Sequence, residues 1–118
     1  MNRKILSNEH IAPAALEAMV NYHVDVTQKV ESAVKSHKVV VIGMKHNPYV
    51  KKVMKALDDA NISFEYREFG NYFSQWKERL AIKLWSGWPT FPQVFVSGKL
   101  VGGCKETLQL LHEGQLKA

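Results

Sequence analysis

The 118-residue sequence holds a single cysteine, Cys104. One sulfhydryl excludes a disulfide within the chain and a cysteine-based zinc cluster. It fits a reducing compartment better than a disulfide-stapled secreted domain. Long apolar runs are missing too. Nowhere do about 18 apolar residues follow one another, so no membrane-spanning helix is expected. The opening MNRKILSNEH turns polar before any apolar region and is not expected to be a signal peptide. Repeats and low-complexity tracts are absent, and the other histidines offer His46 no metal-ligand spacing. These absences lead us to expect a cytoplasmic protein with no membrane partner.

The composition that remains is 46% hydrophobic and 23% charged, which suits one small domain with a modest core. Lys and Arg number 16 against 11 Asp and Glu, a net charge of +5. The basic residues are spread along the chain. They read as solvated surface that attracts small anions, and no nucleic-acid partner is expected.

Residues 1–10 read as a frayed start. Pro13 opens a short helix with Leu16, Met19 and Val20 on one face. Asp25 is the expected N-cap of a second helix, with Gln28 completing a near capping box and Val26, Val30, Ala33 and Val34 inward. The β-branched run Lys38–Gly43 predicts a strand buried on both faces. A helix is expected from Pro48 to about Asp59, with Val50, Val53, Met54 and Leu57 inward. Ile62–Phe69 alternates and predicts a second strand. Asn71 is the expected cap of a helix burying Phe73, Trp76, Leu80 and Leu84. SGWPTFP cannot be helical. Gln93–Val96 and Lys99–Val101, joined by Ser97-Gly98, predict a hairpin. A last helix over 104–113 is expected to bury Leu108 and Leu111 and to stop at Gly114. A strand–helix–strand unit followed by a hairpin implies one mixed four-stranded sheet covered by helices.

That order, with Trp88-Pro89-Thr90-Phe91-Pro92-Gln93 and Leu100-Val101-Gly102-Gly103-Cys104 at their mutual spacing, resembles the glutaredoxin family of the thioredoxin fold, nearest its monothiol branch. The resemblance covers residues 38–116. It divides the chain into an N-terminal helical extension, 1–37, and a glutaredoxin-like domain, 38–118. It implies a groove for glutathione built from Lys45, Arg79, the backbone of Phe91 before a cis Pro92, and the helix start at Cys104 and Lys105. Each has a plain alternative: a solvated loop lysine, a surface helix arginine, a rigid turn, a small buried hydrophobe.

The family's chemistry resides in cysteines at the positions of Asn47 and Val50; this chain has NPYV where the family has CPYC or CGFS. The first cysteine attacks disulfides as a thiolate and, in monothiol members, ligates a [2Fe–2S] cluster. An Asn carboxamide does neither, so no cluster and no catalytic residue are expected. Asn47-Pro48 instead reads as a helix cap. His46 is a weak acid–base signal on its own. Only His46 separates Lys45 from Asn47, a shorter loop than in either branch. Lys105 replaces an Asp that pairs with the ammonium of glutathione's γ-glutamyl group. The expected function is a non-catalytic module that holds glutathione, another small anion or a protein strand. The alternatives are residual redox chemistry at Cys104, its pKa lowered by the helix start and Lys105, and an interaction protein using its first two helices. A monomer or weak homodimer is expected.

Overall fold

In a computed structural model of the chain, which describes residues 4–118, the two N-terminal helices are α1, Pro13–Asn21, and α2, Val24–Ser36. Of the expected frayed start, residues 1–3 lie outside the described residues, and Asn8–His10 form a 3-10 turn. Pro13 opens α1 as expected, but α1 buries none of its residues. The N-cap of α2 is His23, in the left-handed region at φ 46°, and not Asp25, which lies in the first turn. Only Tyr22 and His23 separate the two helices. A reversal that short needs a left-handed residue, and this requirement overrides side-chain capping. The buried face of α2 is Val26, Val30, Ala33 and Val34, as the spacing requires.

The strand β1, Val39–Gly43, is buried along its whole length. The helix α3, Pro48–Asp59, follows with Val50, Val53 and Leu57 inward. The strand β2 is shorter than the alternation suggests, Glu65–Glu68. Ile62 belongs to the exit of α3: Asn61 turns left-handed at φ 58° and the Ile62 N–H reaches back to the Leu57 carbonyl at 2.9 Å, a Schellman-type end. The helix α4 covers Trp76–Ser86, β3 Gln93–Val96, β4 Lys99–Gly102 and α5 Cys104–His112.

The sheet order is β2-β1-β3-β4, with β1 and β2 parallel and the other pairs antiparallel. This is the mixed four-stranded sheet expected from the sequence. The hairpin turn uses Ser97 at φ 51° and Gly98 at φ 81°, the two positive φ values that a tight β-hairpin requires. The alternating residues of β1 feed two cores. Val40 and Ile42 pack with α2, Ile82, Phe91 and Phe95, and Val39 and Val41 pack with Val53, Leu57, Val94 and Leu116. Each fully buried aliphatic side chain contributes about 1.5–3 kcal/mol. Within α5 the buried residue is Thr107, whereas Leu108 and Leu111 are half-buried. Gly114 ends the segment at φ 71° as expected. No helix among the described residues is long and apolar enough to cross a membrane.

Gly43 is where α3 approaches the sheet. A Cβ there would stand 2.8 and 2.9 Å from the two Cγ atoms of Val50. Gly43→Ala is therefore expected to destabilise the fold by about 1–3 kcal/mol, read as a lower urea midpoint with an unchanged slope.

The expected packing of α4 is not observed. The stripe Phe73, Trp76, Leu80 and Leu84 faces solvent, and Arg79, Ala81 and Ile82 face inward. Asn71 does not cap the helix. Its Oδ1 accepts from the Phe73 N–H at 2.8 Å in an Asx turn, and the helix starts later, after Gln75 at φ 55°. The stripe Trp76, Leu80 and Leu84 stays on one face of α4 but points outward, while Ile82 on the opposite face packs with α2, Val40 and Ile42.

Candidate functional site

Strand register gathers three segments at one end of the sheet. Ile42 lies opposite Gln93, and Val94 opposite Gly102. The turn after β1, the Phe91-Pro92 step and the start of α5 therefore share one edge of the fold. They approach closely: a Cβ on Gly103 would stand 3.3 Å from both the Pro92 carbonyl oxygen and the indole Nε1 of Trp88.

In the first segment Asn47 is nearly buried, at 8% exposure, and is the N-cap of α3. Its Oδ1 accepts hydrogen bonds from the Tyr49 N–H at 2.9 Å and the Val50 N–H at 3.1 Å, and Pro48 occupies the first helical position. The capping role expected from Asn-Pro is thus fulfilled. Val50 is core, not cleft. Lys45 is exposed, and its own N–H is tied to the Gly70 carbonyl at 2.7 Å, which anchors the turn to the segment after β2. His46 is exposed at φ 65°.

In the second segment the Phe91-Pro92 bond is cis, as the resemblance implies. Phe91 is buried, with the Lys83 Nζ 5.6 Å from its ring centroid. Among the described residues its backbone N–H and C=O make no intramolecular hydrogen bond. Gln93 is fully buried and donates from Nε2 to the Trp88 carbonyl at 3.0 Å, which pins the loop before β3.

The third segment starts with Gly103, whose N–H donates to Glu106 Oε1 at 3.0 Å. Lys105 is exposed and Cys104 half-buried. Burial pushes the Cys104 thiol up; the Lys52 charge pulls it down and the Glu106 carboxylate pushes it up again. The net direction is upward, opposite to the lowering expected from a helix start beside Lys105. The cation that acts on the thiol is Lys52 from α3, a neighbour that only the packing of α3 on α5 supplies. Cys104 is accordingly expected to be alkylated more slowly in the folded protein than in the urea-unfolded chain at equal pH near 8. A thiol with a raised folded pKa favours the folded state below its unfolded pKa. That contribution disappears as pH rises through the folded value.

Arg79 is not brought to this edge as an open cation. It is 8% exposed, and its Nη1 donates to the Phe69 carbonyl at 2.9 Å and to the Ser74 carbonyl. It clamps the segment between β2 and α4. The residues the register places at the edge are Lys45, Asn47, Phe91, Cys104 and Lys105. Sequence reasoning passed over Lys52 and Glu106. Glu106 carries a local signal, an acid three residues after the helix N-cap.

A [2Fe–2S] centre would draw on thiolate ligands. The turn after β1 offers a carboxamide whose oxygen already accepts two N–H groups, and the chain's one thiol stands at half burial on α5. These residues do not fit a cluster ligated from that turn.

A mixed sheet in the order β2-β1-β3-β4, helices on both faces and a cis-proline before β3 define a protein of the thioredoxin fold. Residues 39–101 match the Glutaredoxin family model. The chain is 47% identical over 117 residues to a glutaredoxin-like protein of Dictyostelium discoideum, covering 98% of this chain and 92% of that protein. It is 38% identical over 85 residues to monothiol glutaredoxin-S17 of Arabidopsis thaliana, covering 67% of this chain but 17% of that protein. Among solved structures, a mutated buckwheat glutaredoxin superposes with a TM-score of 0.72 at 26% identity, covering 85% of this chain and 88% of that one. A buckwheat glutaredoxin–glutathione complex gives 0.68 at 26% identity, covering 79% and 84%. The chain belongs to the glutaredoxin family.

Proposed function

We propose that this glutaredoxin-like protein binds in the family's groove without performing thiol–disulfide exchange, and that its ligand is glutathione, a related small anion or an extended protein strand. The observation that carries the reading is the Asn47 carboxamide. Its Oδ1 accepts the two N–H groups, of Tyr49 and Val50, that would stabilise a thiolate at the start of α3. A carboxamide is not a competent nucleophile towards a disulfide and has no sulfur to bond. Cys104, with its pKa raised, does not replace it.

Binding groups remain. The free backbone N–H and C=O of Phe91 suit an added strand. The exposed Lys45 and the start of α5 at Cys104 and Lys105 suit carboxylates. Arg79, engaged with two carbonyls, stands outside this set. In this reading residues 38–118 are the binding unit and 1–37 an extension, and a single thiol accords with a reducing compartment such as the cytoplasm.

Titration with glutathione, followed by calorimetry and amide shifts, tests the reading. Shifts at Lys45, Phe91 and Lys105 at millimolar ligand are expected; an unchanged spectrum there sinks the small-ligand form. Lys105 presents like charge to the ammonium of a γ-glutamyl group. Lys105→Asp is expected to tighten glutathione binding by about 10-fold or more, the equivalent of one charge-assisted contact.

A further inference from the structure

Glu65-Tyr66-Arg67-Glu68 form β2, an end strand of the sheet that pairs with β1 along one edge. The other edge is open. The Phe69 N–H donates to the Gly43 carbonyl at 2.9 Å, which fixes the alternation. Glu65, Arg67 and Phe69 turn their N–H and C=O groups to β1, and Phe64, Tyr66 and Glu68 turn theirs outward. Among the described residues the outward groups have no hydrogen-bond partner.

An open edge of this kind is a template for one more strand. Beside it, between β2 and α2, runs a groove of about 680 Å³. Arg67 and Phe69 line its sheet side and Lys29, Ser32 and Ser36 its helix side, and the short serines leave room for added chain.

Charged side chains usually blunt an edge against pairing. Here they do so for every twofold register but one. Glu65 and Arg67 stand two apart and point to the same face of the sheet, and Arg67 Nη1 donates to Glu65 Oε1. In an antiparallel twofold pair outward groups must meet outward groups, so the axis passes through a residue and its own copy. An axis at Glu65 or Glu68 sets glutamate against glutamate, and one at Arg67 sets arginine against arginine. Like charges directly opposite destabilise a sheet. An axis at Tyr66 instead sets Glu65 opposite Arg67 of the second copy, and Arg67 opposite its Glu65.

We propose that β2 pairs with β2 of a second copy, antiparallel about a twofold axis at Tyr66, so that two four-stranded sheets become one. Tyr66 against its copy and Phe64 against Glu68 are then hydrogen-bonded pairs, each exchanging both N–H to carbonyl bonds, about six in all. Glu65 and Arg67 form the non-hydrogen-bonded pairs, in which side chains approach most closely. The four charges alternate around a square, each beside two of opposite sign. The net charge of +5 on each chain opposes association at long range. At about 0.15 M salt it is screened beyond about 8 Å, whereas the Glu65–Arg67 contacts lie closer than that.

Sedimentation equilibrium of the full chain from about 10 µM to about 1 mM, at about 0.15 M salt, is the test. The expected result is a mass rising to twice that of the chain, with the Tyr66 and Glu68 amides exchanging more slowly as the dimer fills. Glu65→Arg and Arg67→Glu, both at positions partly open to solvent, are each expected to weaken the dimer by about 10-fold or more, because each sets like charges opposite one another twice. Mixing the two single variants should restore a dimer, since one then supplies two cations and the other two anions to the same register. The double variant should restore it within one chain. A monomer throughout this range overturns the proposal, as does a dimer indifferent to both single substitutions. It is equally overturned if neither the mixture nor the double variant associates, or if the Tyr66 and Glu68 amides exchange alike in monomer and dimer.

Discussion

Asn47→Cys is expected to give the protein glutathione-dependent reduction of mixed disulfides, an activity the unsubstituted chain lacks on the reading proposed above. The site is prepared for it. The Tyr49 and Val50 N–H groups that now meet the carboxamide oxygen at 2.9 and 3.1 Å would face the introduced thiol at the start of α3. N–H donors and a helix N-terminus lower a thiol pKa. At pH 7 the introduced thiol should be alkylated about 10–100-fold faster than Cys104, whose pKa is shifted the other way. The substitution also removes a good cap, at a cost of about 0.5–2 kcal/mol. Adding Val50→Cys should contribute little to this activity, because Val50 is 1% exposed and packs in the core against Gly43. Turnover of a glutathionylated substrate, with and without Cys104→Ser, is the measurement. A variant with a reactive new thiol and no turnover would mean that the shortened turn from Lys45 to Asn47 no longer presents glutathione to it.

Arg79→Ala is expected to destabilise the protein by about 2–4 kcal/mol, the loss of charge-assisted bonds together with two carbonyls left without their partner. The guanidinium is nearly buried and holds the Phe69 and Ser74 carbonyls. Arg79→Lys should recover less than half of the loss, because the lysine stem does not bring its ammonium to the place where the guanidinium Nη1 meets both carbonyls. Chemical unfolding of the three proteins decides between this clamp and a ligand-binding role. A ligand arginine would instead leave the urea midpoint unchanged and abolish the amide shifts caused by glutathione.

The fold was legible wherever the signal was local. Val39–Gly43 is a strand because five consecutive residues without an interrupting polar group suit only a site covered on both faces. Pro48–Asp59 begins and ends where the Asn-Pro start and the apolar spacing place it. The Ser97-Gly98 turn and the stop at Gly114 depend on φ values that these residues adopt at small cost. Asn47 as a cap follows from the same local logic. Alternation reaches beyond β2 because it cannot distinguish a paired residue from one packed at a helix exit, and Ile62 is the latter.

The errors with functional weight come from α4 and α5. Periodicity gives the apolar face of a helix but not which neighbour, if any, covers it. The inward side of α4 is the one that meets α2 and β1, where Ile82 packs with Val30, Val40 and Ile42. Arg79 then went to two carbonyls supplied by a loop, partners invisible in linear order. For Cys104 the helix start beside Lys105, which points to a lowered pKa, is visible in sequence, whereas the desolvation that raises it is not.

By itself the sequence determined the family, a mixed four-stranded sheet and the absence of sulfur from the turn after β1, because each rests on residue identity and short-range spacing. Tertiary structure alone decided which side of α4 meets water, that Arg79 serves the backbone, and that Lys52 and Glu106 are the charges beside Cys104. These depend on distances between segments far apart in the chain, and such distances exist only once the hydrophobic cores have closed.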